Sequence, residues 1–399
     1  MTINKLADFL DNIFDGPRRI QFIEHGVLYI RLGDLEAGEI YCDPCQTSAP
    51  LNLESRYYLR PEDVLVSKTG DEPRAVVTTG EVQGALIAPD IYCLRTIPER
   101  LSATWLAYYL NTTHGQQLLI ERSSGATVRR LHVADLRSLP LMLPPEQLVK
   151  EIEDLEHQAQ ANSQTAHEIW AAIISSMYSE IDERSELTGD TNVPVPENFL
   201  TTSTADKVFR PLSEVARIAV SSRKTLKPDQ PVSYVQASDI DPRSFLFRRV
   251  RSALAKDLPS RIRLPLQAYQ VLVLASGSNL GTPTHPVAVV DAKLNGGFAS
   301  NAFLALDFDE TPIYFAIALK HPVVLEQIRR MAVGVIVSTL RKKDIIHLRI
   351  PILRAVWRQD FNDRAQLAWE RRTLALTQRR QALDMADAFI QKALAGETP

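Results

Sequence analysis

Cysteine is scarce in this chain, with only Cys42, Cys45 and Cys93 among 399 residues. So few exclude a disulfide-stapled extracellular fold and suit a reducing cytosol. Cys42-Asp43-Pro44-Cys45 has the spacing of half a zinc site, but no second cysteine pair supplies the remaining ligands. No apolar run approaches the length a membrane span needs, and the N-terminus lacks a basic-then-apolar signal. A cytoplasmic, non-membrane protein is therefore expected. An excess of positive charge is also missing: 45 Lys and Arg face 48 Asp and Glu, a net charge of -3. That excludes a free-standing, strongly basic nucleic-acid binder while leaving room for local basic patches.

Catalytic signatures are absent as well. Ser276 to Gly281 is Gly-rich but has no following Lys-Ser/Thr, so it is not a phosphate-cradling loop. The eight histidines show no ligand spacing. Asp291-Ala292-Lys293 at a strand end has the look of a metal-dependent nuclease fragment, yet no upstream Pro-Asp completes a two-carboxylate site. There is no Asn/Asp-Pro-Pro-Tyr/Phe stretch and no Gly-rich cofactor loop of the methyltransferase kind. The expectation is a chain without catalytic activity, without a metal and without a cofactor of its own.

What the sequence does have is length without interruption. From Pro144-Pro145-Glu146-Gln147 to about Asp182 there is no further Pro and no Gly, and proline at the first helical positions makes a strong helix start. Leu148, Ile152, Leu155, Ala159, Asn162, Ala166, Ile169 and Ile173 recur in steps of four and three. That stripe predicts a partner helix, with Asn162 fixing register. At about 1.5 Å per residue the rod would be on the order of 50 Å long. The one comparable stretch is Trp357 to Leu394, with Phe361, Leu367, Leu374, Leu376, Leu383, Met385, Phe389 and Ile390 as its apolar positions. The two are expected to pair antiparallel.

The remaining chain, 45% hydrophobic and 23% charged, is long enough for two globular domains. Asn4 to Ile13 has the apolar spacing of a short amphipathic helix. Strands are expected over Val27 to Tyr41, Val64 to Ser67, Ile87 to Leu94 and Leu139 to Leu143, with a helix from Trp105. An internal repeat orders these elements. Val27-Leu28-Tyr29 with Asp34-Leu35 recurs as Val232-Ser233-Tyr234 with Asp239-Ile240, and Val64-Leu65-Val66 before Gly70 recurs as Val271-Leu272-Val273 before Gly277. Trp105-Leu106-Ala107 recurs as Tyr314-Phe315-Ala316, and Gly125 with Leu131 recurs as Gly334 with Leu340. The offsets of 205 to 209 keep order and spacing while identity is low. The expected class is α+β: two similar mixed domains separated by two long antiparallel helices in a coiled coil. The boundaries read 1–143 for the first domain, 144–182 for the first helix, 183–206 for a polar linker, 207–353 for the second domain and 354–395 for the second helix.

On Pro61-Glu62-Asp63-Val64-Leu65-Val66-Ser67, the loop Ser124 to Leu131, Leu143 to Gln147 and the repeated layout, the chain resembles the specificity (S) subunit of Type I restriction-modification systems. The resemblance covers nearly all of the chain. In the second copy it departs from the pattern, because the segment 352–360 lacks a Pro-Pro-Glu-Gln equivalent. The resemblance implies two target-recognition domains reading an asymmetric bipartite site in double-stranded DNA. Its partners would be two methyltransferase (M) subunits, which use S-adenosylmethionine, and restriction (R) subunits, which use ATP and Mg. The rival readings are a recognition or adaptor subunit of another phage-defence complex, and a stand-alone metal-dependent nuclease centred on Asp291.

Phosphate contacts call for Lys, Arg, Ser and Thr, and base edges for Arg, Lys, Asn and Gln. The first domain offers Ser67, Lys68, Thr69, Arg74, Arg122, Ser123, Ser124, Thr127, Arg129 and Arg130. The second offers Ser276, Ser278, Asn279, Thr282, Ser338, Thr339, Arg341, Lys342 and Lys343. Both sets fall in matching Gly-containing loops. Arg248, Arg249 and Arg251 form a further basic cluster. Trp170, Ile174, Met177, Tyr178 and Trp369 are the expected docking surface for the partner subunits.

Overall fold

The computed structural model describes residues 4–396 apart from 19, 21–25, 37, 41–45, 48–52, 71–72, 126–128, 187–208, 220–225, 242–243, 248, 310–311 and 335–337. Cys42, Cys45, Thr127, Arg248 and almost all of the expected linker lie outside the described residues. The chain divides into two units, Met1–Asn162 with Thr373–Pro399, and Ser163–Arg372.

In unit 1 the strands are β1 (Asn4–Lys5), β2 (Leu10–Asp15), β3 (Val27–Ile30), β4 (Leu35–Glu36), β5 (Glu39–Ile40), β6 (Gln46–Thr47), β7 (Asp63–Ser67), β8 (Ala75–Val77), β9 (Leu86–Ile87) and β10 (Ile91–Thr96). Helices α1 (Ala103–Asn111), α2 (Thr113–Glu121) and α3 (Val133–Arg137) follow, then strand β11 (Pro140–Leu141) and helix α4 (Glu146–Glu186). The main sheet runs β2-β10-β7-β8. Its inner strand β7, Asp-Val-Leu-Val-Ser, is buried throughout, as β-branched residues between two neighbours should be. Beside it β3 pairs antiparallel with β6 and parallel with β9, β4 with β5, and β1 with β11. Ser102 caps α1 by accepting from the Trp105 backbone N–H at 3.2 Å.

The N-terminal segment corrects one expectation. Asn4 to Ile13 is not a helix but β1, a single 3-10 turn at Leu6–Phe9, and the start of β2. Leu6 and Phe9 are both buried, so their i, i+3 spacing belongs to one turn, and the following backbone finds its partners on β10.

Unit 2 repeats this order with one strand added. Its strands are β12 (Phe209–Pro211), β13 (Ala216–Ile218), β14 (Pro231–Val235), β15 (Ile240–Asp241), β16 (Leu246–Phe247), β17 (Arg251–Leu254), β18 (Ile262–Pro265), β19 (Val271–Leu274), β20 (Val287–Val289), β21 (Phe298–Ser300) and β22 (Phe303–Phe308). Then come α5 (Pro312–Leu319), α6 (Pro322–Met331), α7 (Lys342–Ile345), β23 (Arg349–Pro351) and α8 (Ala355–Leu394). The sheet order β13-β22-β19-β20 copies β2-β10-β7-β8, and β12-β23 copies β1-β11. The parallel pairing of β14 with β21 matches that of β3 with β9. β18 is the addition of the second copy.

Side chains repeat too. Asp34 takes the Arg31 backbone N–H at 2.8 Å, and Asp239 takes that of Gln236 at 2.8 Å. Trp105 Nε1 donates to the Met142 carbonyl at 3.0 Å, and Tyr314 OH donates to that of Pro351 at 2.9 Å.

The two long helices meet within each unit. In unit 1, Arg379 Nε lies 3.3 Å from Glu156 Oε2, and Asn162 donates to Gln378 at 3.1 Å. Ile152 shares a core with Ala382, Ala386, Phe389 and Ile390. In unit 2, Arg372 donates to Ser163 at 3.1 Å, and the Trp170 and Trp369 rings are 6.4 Å apart. On α4 the buried positions are Ile152, Glu156, Ala159, Ser163, Ala166, Trp170, Ile173, Met177 and Ile181. On α8 they are Phe361, Ala365, Ala368, Arg372, Ala375, Ala382, Ala386 and Phe389, among others.

Both seams keep the four-and-three spacing of a coiled coil, but their chemistry departs from the expected stripes. Leu367 and Leu374 are exposed at 46% and 44%, whereas alanines face the partner helix. Small residues let two helix axes approach toward the short end of the roughly 8–10 Å range.

The residues expected to dock partner subunits lie in or against the core of unit 2. Trp170 and Met177 are core residues of unit 2, and Ile174, Tyr178 and Trp369 pack against that core. Trp170 sits 5.4 Å from Phe245 and Trp369 Nε1 donates to the Ser244 carbonyl at 2.8 Å. Trp170 is thus taken up by the core of its own unit, while Ile174, Tyr178 and Trp369 keep part of their surface exposed.

Candidate nucleic-acid interface

In each unit the strand leaving the middle of the sheet meets the loop that follows the second short helix. In unit 1 the Gly70 N–H donates to the Arg129 carbonyl at 3.2 Å and the Leu131 N–H to that of Lys68 at 2.9 Å. Ser124 and Arg130 exchange backbone hydrogen bonds at 3.0 and 2.8 Å. In unit 2 the Gly277 N–H donates to the Ser338 carbonyl at 3.1 Å and the Leu340 N–H to that of Ala275 at 2.7 Å. Val333 and Thr339 exchange bonds at 3.0 and 2.9 Å. These bridges make the equivalences explicit: Lys68 with Ala275, Thr69 with Ser276, Ser124 with Val333, Arg129 with Ser338, and Arg130 with Thr339. Gly125 and Gly334 turn these loops at φ of 127° and 133°, which side chains rarely adopt.

The structure thus brings Thr69, Ser124, Arg129 and Arg130 together at one edge of module 1, and Ser276, Ser338 and Thr339 at the same edge of module 2. Arg130 and Arg129 are both exposed, and Arg129 donates to the Ile120 carbonyl at 3.4 Å. Ser276 and Thr339 hydroxyls lie 3.3 Å apart, and Ser278 donates to Asn279 Oδ1 at 3.2 Å. Lys342 and Lys343 are exposed at the start of α7, one residue past Arg341, which is held by Asp344 at 2.5 Å.

Other candidates serve the fold. Ser67 is buried and accepts from the Arg74 N–H at 2.8 Å. Lys68 is 14% exposed, pairs with Asp15 at 2.5 Å and lies over the Tyr92 ring at 4.8 Å. Burial holds the Tyr92 phenol above its ordinary range against the lowering effect of Lys68. Arg74 donates to the Leu35 carbonyl at 2.6 Å and lies near Glu36, and Arg122 donates to Ser138. Arg251 forks onto buried Asp239 at 2.7 Å, which takes it out of the expected basic cluster. Asp291 caps a 3-10 turn by accepting from the Leu294 N–H at 2.9 Å, a structural duty for the residue on which the nuclease reading rested. Among the described residues no group of three or more His, Cys, Asp or Glu is placed to hold a metal ion, and no helix is long and apolar enough to cross a membrane.

Val333 escaped the sequence reading. It is 56% exposed on the bridge of module 2, and a search for polar DNA-contacting residues passes over a valine.

The fold defines a tandem of two α+β modules of one topology, each built on segments of two long antiparallel helices. No protein-family model matches the chain, and no curated protein matches it. Among solved structures, the S subunit of a Type-I restriction-modification system from M. genitalium is 12% identical, with 97% of this chain and 93% of that one covered at a TM-score of 0.42. The HsdS subunit of Thermoanaerobacter tengcongensis is 14% identical over 100% of this chain and 97% of that one, at 0.32. A chain from a structural study of complex assembly and conformational transition in the type I R-M system is 14% identical over 98% and 97%, at 0.32.

Proposed function

We infer that this chain is a non-catalytic DNA-recognition subunit of the Type I restriction-modification kind. Its two modules, within residues 1–143 and 207–353, would each read one half of a bipartite target in double-stranded DNA. The observation that carries this reading is the doubled bridge: two modules of one topology present loops of unlike side chains at the same edge. Equal scaffolds with unequal readers suit a target whose halves differ. Methylation with S-adenosylmethionine would belong to two M subunits, and ATP- and Mg-dependent cleavage to R subunits. The loop residues Thr69, Ser124, Arg129, Arg130, Ser276, Ser338, Thr339 and Lys342 are the contacts proposed for DNA.

The test is to co-express the chain with its M subunits, map modified adenines at single-base resolution, and measure duplex affinity across salt concentrations. Arg129→Ala and Arg130→Ala should each lower the slope of log affinity against log salt by about one, with a loss of about 1–3 kcal/mol where the arginine reads a base. Absence of salt-dependent binding to any duplex, with M subunits present, refutes the reading and favours an adaptor that never touches DNA.

A further inference from the structure

The two bridges are alike in backbone and unlike in chemistry, and the difference has a direction. Module 1 carries Arg129 and Arg130 on the bridge itself, and then His132 and Val133 lead into α3. Module 2 carries Ser338 and Thr339 in their place, with the exposed Lys342 and Lys343 following at the start of α7. Opposite Thr339, where module 1 has Ser124, stands Val333. Its backbone is held by the reciprocal hydrogen bonds to Thr339, its side chain is 56% exposed, and hydroxyls of Ser276 and Thr339 lie on the same bridge. What sets this valine apart is its place: a small apolar surface held on the bridge beside two hydroxyls, available to a partner that would take it out of water.

Resting on the reading of the chain as a DNA-recognition subunit, we propose that Val333 reads the 5-methyl group of a thymine in the major groove of the half-site taken by module 2. The C5 methyl is the apolar feature of the major-groove edges, and a small aliphatic side chain is its natural complement. Lys342 and Lys343 supply the phosphate contacts that hold this bridge in register, a positioning task that carries no base preference. At the matching position module 1 carries Ser124, a hydroxyl in place of the valine, so a thymine methyl facing that position gains no apolar contact from it.

The experiment uses the complex of the full chain with its M subunits and the target found by mapping modified adenines. Each thymine is replaced in turn by deoxyuridine, which removes only the methyl. One replacement, in one half-site, should weaken binding about fourfold, the worth of one buried methyl-sized group. With Val333→Ser that same replacement should have no effect, while Lys342→Ala with Lys343→Ala should weaken all duplexes alike and leave the fourfold ratio intact. If no deoxyuridine weakens the wild type in a way that Val333→Ser abolishes, the thymine assignment is overturned. That outcome is distinct from a wild type that shows no sequence-selective binding at all, which overturns the DNA reading itself. Because Val333 is exposed, the variant is expected to fold, and an unchanged thermal unfolding midpoint of the complex checks this directly.

Discussion

Arg379 is the side chain whose loss unit 1 should tolerate least. It is buried, its Nε is 3.3 Å from Glu156 Oε2, and it also contacts Glu39 on β5. Tyr108 donates its hydroxyl to Glu156 Oε2 at 2.7 Å, and burial followed by the Glu156 charge pushes that phenol far above its ordinary range. Gly38 makes room for the guanidinium stem, because a Cβ there would stand 2.9 Å from Arg379 Cδ. A cavity of about 200 Å³ beside the network, lined by Ala107, Asn111 and Leu383 among others, leaves the site little neighbouring material to collapse into.

Arg379→Met therefore strips the guanidinium from the Glu156 and Glu39 carboxylates, leaving the Tyr108 phenol and the Gln160 amide as donors to Glu156. Breaking a buried pair in this way costs about 3–5 kcal/mol, most of it the uncompensated charge. Glu156→Gln with Arg379→Met should cost less than the sum of the single changes, by about 1–2 kcal/mol, because the residues are in contact. Hydrogen exchange read on α1 and α2 should accelerate by roughly two to nearly four decades in Arg379→Met, at 1.36 kcal/mol per decade. Helices α5 and α6 of unit 2 serve as the internal control. A loss below about 1 kcal/mol, or strict additivity of the pair, would refute the view that this network holds the β4–β5 hairpin to the helices.

Two further predictions concern burial. Burial, with a contribution from Lys320, lowers the His285 imidazole from 6.5 to about 4. The unfolded chain therefore binds a proton between those values that the folded chain does not, and stability falls as pH drops from about 6.5 toward 4, by about 3 kcal/mol in all. His285→Asn should lose that dependence, so urea midpoints of wild type and variant should converge between pH 7 and 4.5; a constant gap would contradict it. Asn111 accepts from the Ala75 N–H at 3.1 Å and donates to the Ala75 carbonyl at 2.7 Å, serving the free edge of β8. Asn111→Ala should destabilise unit 1 by about 2–3 kcal/mol through two unpaired backbone groups, measured by denaturant unfolding, and a near-neutral change would show that water takes over the edge.

Periodicity along one chain is enough to locate the long helices and the order of the repeat. A four-and-three spacing is a property of the helix itself, and a run such as Asp63 to Ser67 can satisfy its backbone as a buried strand. The matched positions Trp105 and Tyr314 were visible at fixed offset, and the structure shows why they match: each donates to the equivalent carbonyl, of Met142 and of Pro351.

Which face of each helix is the seam was decided only by tertiary packing. Leucines at 367 and 374 look like seam residues by hydrophobicity, but alanines won the positions because close approach and the embedded Arg372 and Arg379 pairs need small neighbours. The same holds for the interface. Residue type alone could not separate Lys68, tied to Asp15 on a distant strand, from Arg130, or show that the loop folds back to set Val333 opposite Thr339 and that Ser276 joins the same bridge. Local spacing is written in the chain; long-range pairing is settled when burial and hydrogen bonding choose among partners that the order of residues leaves equal.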